Sequence, residues 1–153
     1  VKLAIACDHR GYDAKRKLLP VLKKLGHELQ DFGCEGVSPV DYPDLAAPAA
    51  RAVAGGACDI GILLDGSGIG MSVAANKIVG VRAALVHDEV TARRAREHNH
   101  CNILCLGTDL LSEDQIRNIV EIFLTTAYGD GRHARRIEKL NLLEADRSPP
   151  KQA

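Results

Sequence analysis

The sequence predicts a single doubly wound α/β domain, a five-stranded parallel sheet with helices on both faces. Two patterns point there. Short, nearly all-apolar runs alternate with helix-period segments, and glycine or aspartate marks the exit of several of the runs. The chain has 153 residues, a length at which one domain buries roughly 70% of the surface its unfolded chain exposes.

Lys2 to Cys7 is the first such run, ending in Asp8-His9-Arg10-Gly11. Leu18, Leu22 and Leu25 then fall at helical spacing before a Gly26 stop. A second strand is expected near His27 to Phe32, followed by a loop holding Gly33, Gly36, Pro39 and Pro43 and an alanine-rich helix from about Asp44 to Ala54. Asp59 to Leu64, Val81 to Val86 and Asn102 to Leu106 read as strands three to five, with helices in the gaps. Ser112 and Gln115 have capping-box spacing, and Ile116, Ile119, Val120 and Phe123 form one apolar stripe behind them. A last helix is expected from about Gly131 to Ala145, so the domain spans residues 1–145, and residues 146–153, with Pro149-Pro150 and little apolar content, read as a mobile tail.

Composition narrows the function. Lys plus Arg and Asp plus Glu each number 20, aromatic residues are 3% and Trp is absent, so neither a general positive field nor a stacking surface recommends a nucleic-acid partner. No apolar run is long enough for a bilayer, and the opening residues lack a basic-then-apolar signal layout, so no membrane role is expected. Five cysteines in irregular spacing argue for reduced thiols rather than a disulfide framework, which fits a cytoplasmic setting.

Ligands of doubly wound folds bind beyond the carboxyl ends of the strands. Function is therefore sought in Asp8-His9, in Asp65 to Ser72, in His87-Asp88 and just beyond Leu106. The segment Asp65-Gly66-Ser67-Gly68-Ile69-Gly70-Met71-Ser72 is the strongest local signal, because its glycines let backbone N–H groups turn toward an anion; a plain tight turn is the competing reading. A dinucleotide fingerprint fits poorly. Asp88 lies at a suitable distance, but the third glycine comes one position early and the loop follows the third strand instead of the first. A Walker loop lacks its Gly-Lys-Ser or Gly-Lys-Thr. His98, His100, Cys101 and Cys105 show no ligand spacing for a metal, and the two thiols sit in an apolar run that suits core packing. Arg132 and Arg136, four apart, share a helix face that could grip one phosphate, although a solvated basic face is the plainer reading.

Taken together, Cys7-Asp8-His9-Arg10-Gly11, Asp41-Tyr42-Pro43, Gly66-Ser67-Gly68-Ile69-Gly70, Ala74-Ala75-Asn76-Lys77, Gly80-Val81-Arg82-Ala83, His98-Asn99 and Gly131-Arg132-His133 resemble the type B ribose-5-phosphate isomerase family, which includes galactose-6-phosphate isomerases. The likeness runs from about Lys2 to Glu144. It implies a Rossmann-like sheet, an aldose-ketose isomerase of a sugar phosphate with no metal or other cofactor, and a homodimer or dimer of dimers with active sites at the subunit interface. It further implies that His9, Arg132 and Arg136 hold the substrate phosphate. His98, near Asp8 and Tyr42, would open the furanose ring, and Ser67 with the amides around Gly66, Gly68, Gly70 and Met71 would stabilise an enediolate. His98, Asn99, Arg132 and Arg136 would come from the neighbouring subunit.

One position departs from the family. Many relatives carry a Cys base where this chain has Asp65, and another branch a Glu base where it has Met71. Asp65 is then the loop's remaining acid or base, and a positioned carboxylate can remove a carbon-bound proton. The substrate implied is ribose 5-phosphate. Another aldose or ketose phosphate of four to six carbons, or a binding role without turnover, stays open on sequence alone.

Overall fold

A computed structural model describes residues 1–146; the expected tail lies, apart from Asp146, outside the described residues. Five parallel strands, β1 (Lys2–Cys7), β2 (Glu28–Asp31), β3 (Ile60–Asp65), β4 (Ala83–Leu85) and β5 (Ile103–Gly107), form one sheet in the order β2-β1-β3-β5-β4. Six helices accompany them: α1 (Tyr12–Lys24), α2 (Tyr42–Ala54), α3 (Ile69–Ala75), α4 (Glu89–Glu97), α5 (Glu113–Thr125) and α6 (Arg132–Ala145).

The period-2 geometry of a strand divides its side chains between two cores. Leu3, Ile5 and Cys7 of β1 join Leu18 and Leu22 of α1 and Ile116, Ile119 and Phe123 of α5 on one face. Ala4 and Ala6 meet Ala46, Ala49 and Ala50 of α2 with Met71 and Ala75 of α3 on the other. Burying each large apolar side chain stabilises the fold by about 1.5–3 kcal/mol. Because both faces are covered, β1, β3 and β5 are nearly all apolar, whereas the edge strand β2, Glu28-Leu29-Gln30-Asp31, is polar and has no fully buried residue.

Three boundaries differ from the sequence expectation. Val81 and Val86 are buried, but only Ala83–Leu85 pairs with β5, so hydrophobicity overstates the length of this short edge strand. Helix α2 starts at Tyr42 with Asp41 as N-cap and Pro43 in its first turn, where a missing N–H costs no hydrogen bond. Leu25 caps α1 and is 57% exposed instead of extending its apolar stripe.

The strand order reverses between β1 and β3. There, Cys7 and Leu64 are in register, so Asp8 and Asp65 emerge side by side at the carboxyl edge. Lys15 helps to fix this region: its buried ammonium meets both Asp31 carboxylate oxygens at 2.7 and 2.8 Å and the Cys34 carbonyl at 2.8 Å. All three of its protons thereby find acceptors.

Candidate active site

The expected site residues fall into two groups. The first lies at the carboxyl edge. Asp8 is buried, and one carboxylate oxygen accepts the N–H groups of Arg10 and Gly11 at 2.9 and 3.1 Å, which leaves the other oxygen for a ligand. The Nδ1 atom of His9 accepts the Val40 N–H at 3.4 Å, so in the neutral ring Nε2 carries the proton and is free to donate. The Tyr42 ring lies over Gly70, where an added Cβ would fall 2.8 Å from it.

Asp65 ends β3 and is only 4% exposed. Its carboxylate accepts the Gly68 N–H on one oxygen and the Met71 N–H, at 3.2 Å, on the other. The anion held by the glycine loop is therefore the chain's own. Burial raises the Asp65 pKa above the ordinary carboxylate value; the N–H groups of Gly68 and Met71 oppose this, and the charge of Asp8 adds to it. The Ser67 N–H also favours the carboxylate, and its two oxygens still have lone pairs for a proton.

The loop's shape requires glycine at position 68, where φ is +78° and a Cβ would sit 2.4 Å from Leu85 Cδ1. Ser67 Oγ accepts the Ile69 N–H at 3.2 Å and keeps its own O–H to donate. The Gly70 N–H has no acceptor among the described residues. Met71 differs from expectation: its side chain is fully buried in the core and its N–H is taken by Asp65, so it offers nothing to a ligand. The Asp88 carboxylate, whose distance alone matched a dinucleotide fingerprint, accepts the Thr91 N–H at 2.7 Å and caps α4.

The second group lies at the opposite edge, beside the start of β5. His98 caps the end of α4, and its ring stacks on His133 with centroids 4.2 Å apart and planes within 5°. Burial lowers the His133 pKa, and the charges of His98, Arg132 and Arg136 lower it further, partly offset by Glu97. These residues therefore form one cluster, in which Arg132 and Arg136 are exposed. Asn99, also exposed, adjoins it, and its carbonyl accepts from Arg82 Nε at 3.2 Å. The length of β5, five residues, separates the two edges by about 16 Å. One chain thus carries both groups but does not bring them together.

Some contacts at the carboxyl edge escaped the sequence reading. Arg10 binds one oxygen of Asp109 through Nε at 2.8 Å and Nη2 at 2.7 Å, and the pair lies on Gly66. The Thr108 hydroxyl donates to the carbonyls of Arg10 and Asp65, both at 3.1 Å. The segment beyond Leu106 was expected to matter, but these partners stand 43 to 99 residues apart and share no local pattern. Cys7 and Cys34 bring their sulfurs within 3.8 Å, and burial raises the Cys7 thiol pKa to about 12. Cys101 and Cys105 are core residues. Among the described residues, no three or more His, Cys, Asp or Glu side chains converge as a metal-holding group, and no helix is long and apolar enough to cross a membrane.

A family model described as ribose/galactose isomerase matches residues 3–140. Ribose-5-phosphate isomerase B of Escherichia coli is 37% identical over 147 residues, covering 96% of this chain and 99% of that protein. Galactose-6-phosphate isomerase subunit LacB of Clostridium acetobutylicum is 38% identical over 137 residues, covering 90% of this chain and 79% of that one. The solved structure of Clostridium thermocellum ribose-5-phosphate isomerase B superposes with a TM-score of 0.95 at 44% identity, covering 97% of this chain and 100% of that one.

Proposed function

The chain belongs to the ribose/galactose isomerase family, and on that premise we propose that it interconverts ribose 5-phosphate and ribulose 5-phosphate at a site built from two copies of itself. The observation that carries this reading is the pair Asp8 and Asp65 at the strand-order reversal, one with an unengaged oxygen and the other with spare lone pairs beside a serine hydroxyl. The similarity to proteins named ribose-5-phosphate isomerase B, among them the solved Clostridium thermocellum enzyme, supports the five-carbon reading.

In this mechanism His9 of one copy and Arg132 and Arg136 of the other hold the phosphate, with Asn99 beside them. His98 of the second copy, with Asp8 and Tyr42 near the ring oxygens, moves the proton that opens the furanose. Asp65 then removes the proton from C2, and the electron pair passes through the forming C1–C2 double bond to O1. The Ser67 hydroxyl and the Gly70 N–H are the donors left to meet that charge, because Asp65 itself occupies those of Gly68 and Met71. Transfer of the O2 proton to O1 and return of the carbon-bound proton from Asp65 to C1 complete the ketose. No electron leaves the substrate, so no redox cofactor is required.

Purified protein offered a panel of aldose phosphates should form ketose fastest from ribose 5-phosphate; a preferred six-carbon substrate would overturn the assignment. The shared site has its own test. Arg136→Ala and Asp65→Asn proteins, each impaired alone, should regain activity when mixed under subunit exchange, since one site per mixed pair then has both groups. No recovery, with exchange verified, would place the site within one chain.

A further inference from the structure

A set of interlocking side-chain contacts outside the proposed chemistry surrounds the connection between α5 and α6. Gly129 is held on both sides there: its N–H donates to the Glu97 carbonyl at 2.8 Å, and its carbonyl faces His100 Nε2 at 2.9 Å. No larger residue fits, because a Cβ would fall 2.6 Å from that Glu97 oxygen and 3.2 Å from the His133 ring. The His100 ring also stacks on Tyr128 at 4.3 Å. Behind it, buried Arg96 places its guanidinium 4.3 Å from the Tyr128 ring centre and donates to the Tyr128 hydroxyl and the Cys101 carbonyl at 2.8 and 2.7 Å.

His100 reaches this position at a backbone cost, since its φ is +48°, the left-handed region that favours glycine. Strain kept at such a residue points to a constraint beyond folding. Three residues after Gly129 come Arg132 and then His133, which stacks on His98. The clasp therefore fixes where α6 begins and where its first turn presents its cations.

We propose that His100, backed by Tyr128 and Arg96, is a positioning residue that holds Arg132 and Arg136 in register to receive the substrate phosphate. This rests on the phosphate role given above to those two arginines. His100 itself touches no substrate and acts through Gly129.

The test uses the full chain and ribose 5-phosphate. His100→Gly removes the clasp and relieves the positive φ, so thermal stability should hold or rise while KM increases roughly tenfold and kcat stays within about threefold, the split expected when binding geometry alone is lost. The same substitution on an Arg132→Ala/Arg136→Ala background should change KM by less than about twofold, because coupled residues do not add. An unchanged KM in His100→Gly overturns the proposal, and so does an effect that persists without the arginines. If the arginine double variant itself leaves KM unchanged, the phosphate assignment fails and takes this inference with it. Should His100→Gly not fold, Tyr128→Phe, which keeps the stack and loses the Arg96 hydrogen bond, carries the same comparison with a smaller rise in KM.

Discussion

Replacing Asp65 with Asn keeps the size of the side chain and removes the proposed base. The structure sets the accompanying cost. An Asn oxygen still accepts one of the two N–H groups of Gly68 and Met71, but its NH₂ faces the other, and a buried N–H left without an acceptor costs about 1–3 kcal/mol. Relief of a charge that is 4% exposed and adjacent to Asp8 works in the opposite direction, so that figure is an upper range. At this chain length 1 kcal/mol shifts Tm by about 2–4 °C, and the variant should remain folded. Loss of a positioned general base lowers the rate by about 10²- to 10⁴-fold, equivalent to roughly 2.7–5.5 kcal/mol of barrier. The chemical effect therefore exceeds the structural one. The assay is ketose formation from ribose 5-phosphate, with the melting temperature and the affinity for a non-reacting sugar phosphate measured alongside. A folded variant that binds normally and turns over within about tenfold of the parent would refute the assignment and redirect attention to Asp8 or a water held by Ser67.

Further outcomes follow from the same geometry. The base must be ionised and its pKa is raised by burial, so activity should fall with acidification at a pH above the ordinary Asp value of about 3.9; a pH–rate profile whose acid limb lies at or below that value would exclude Asp65. Prolonged EDTA treatment should leave turnover unchanged, and a loss restored by zinc or magnesium would sink the metal-free mechanism. All five cysteines are buried, with the pKa values of Cys7 and Cys101 raised to about 12 and about 11, so iodoacetamide at neutral pH should spare the enzyme, whereas rapid inactivation would show a thiol that opens to solvent. Lys15→Met leaves the Cys34 carbonyl without its cation while the partly exposed Asp31 rehydrates, and denaturation should register a loss of about 1–3 kcal/mol; no measurable loss would mean that the ion pair merely offsets its own desolvation.

Most of the sheet was legible because both of its faces are covered, which makes β1, β3 and β5 nearly unbroken apolar runs, while the polar edge strand β2 shows no such run. The same reasoning overextended the fourth strand, since Val81 and Val86 are buried by neighbouring elements without pairing. Asp65 and its glycines could be located from local sequence, but not the direction of the amides. That depends on the turn at the left-handed Gly68, where the N–H groups of Gly68 and Met71 meet Asp65 while that of Ile69 goes to Ser67. The roles proposed for His98, Arg132 and Arg136 lean on resemblance, because a helix cap and a basic helix face look ordinary by themselves, even where the four-residue spacing of the arginines would suit a phosphate. Arg10 with Asp109, and His100 with Gly129, are matched by the fold across long stretches of chain, where spacing carries no signal.

The split between the two edges also has an electrical consequence. The chain is neutral in sum, yet the residues that carry its proposed chemistry are sorted by sign, with Asp8 and Asp65 at one rim and Arg132 and Arg136 at the other. In the proposed site the basic rim would attract the substrate phosphate while the acidic rim faces the carbon that reacts. Uniting the rims of two copies sets opposite charges against each other. In the proposed dimer, part of that attraction is screened over about 8–10 Å at ordinary ionic strength, so dilution and salt are two handles on the same proposed equilibrium.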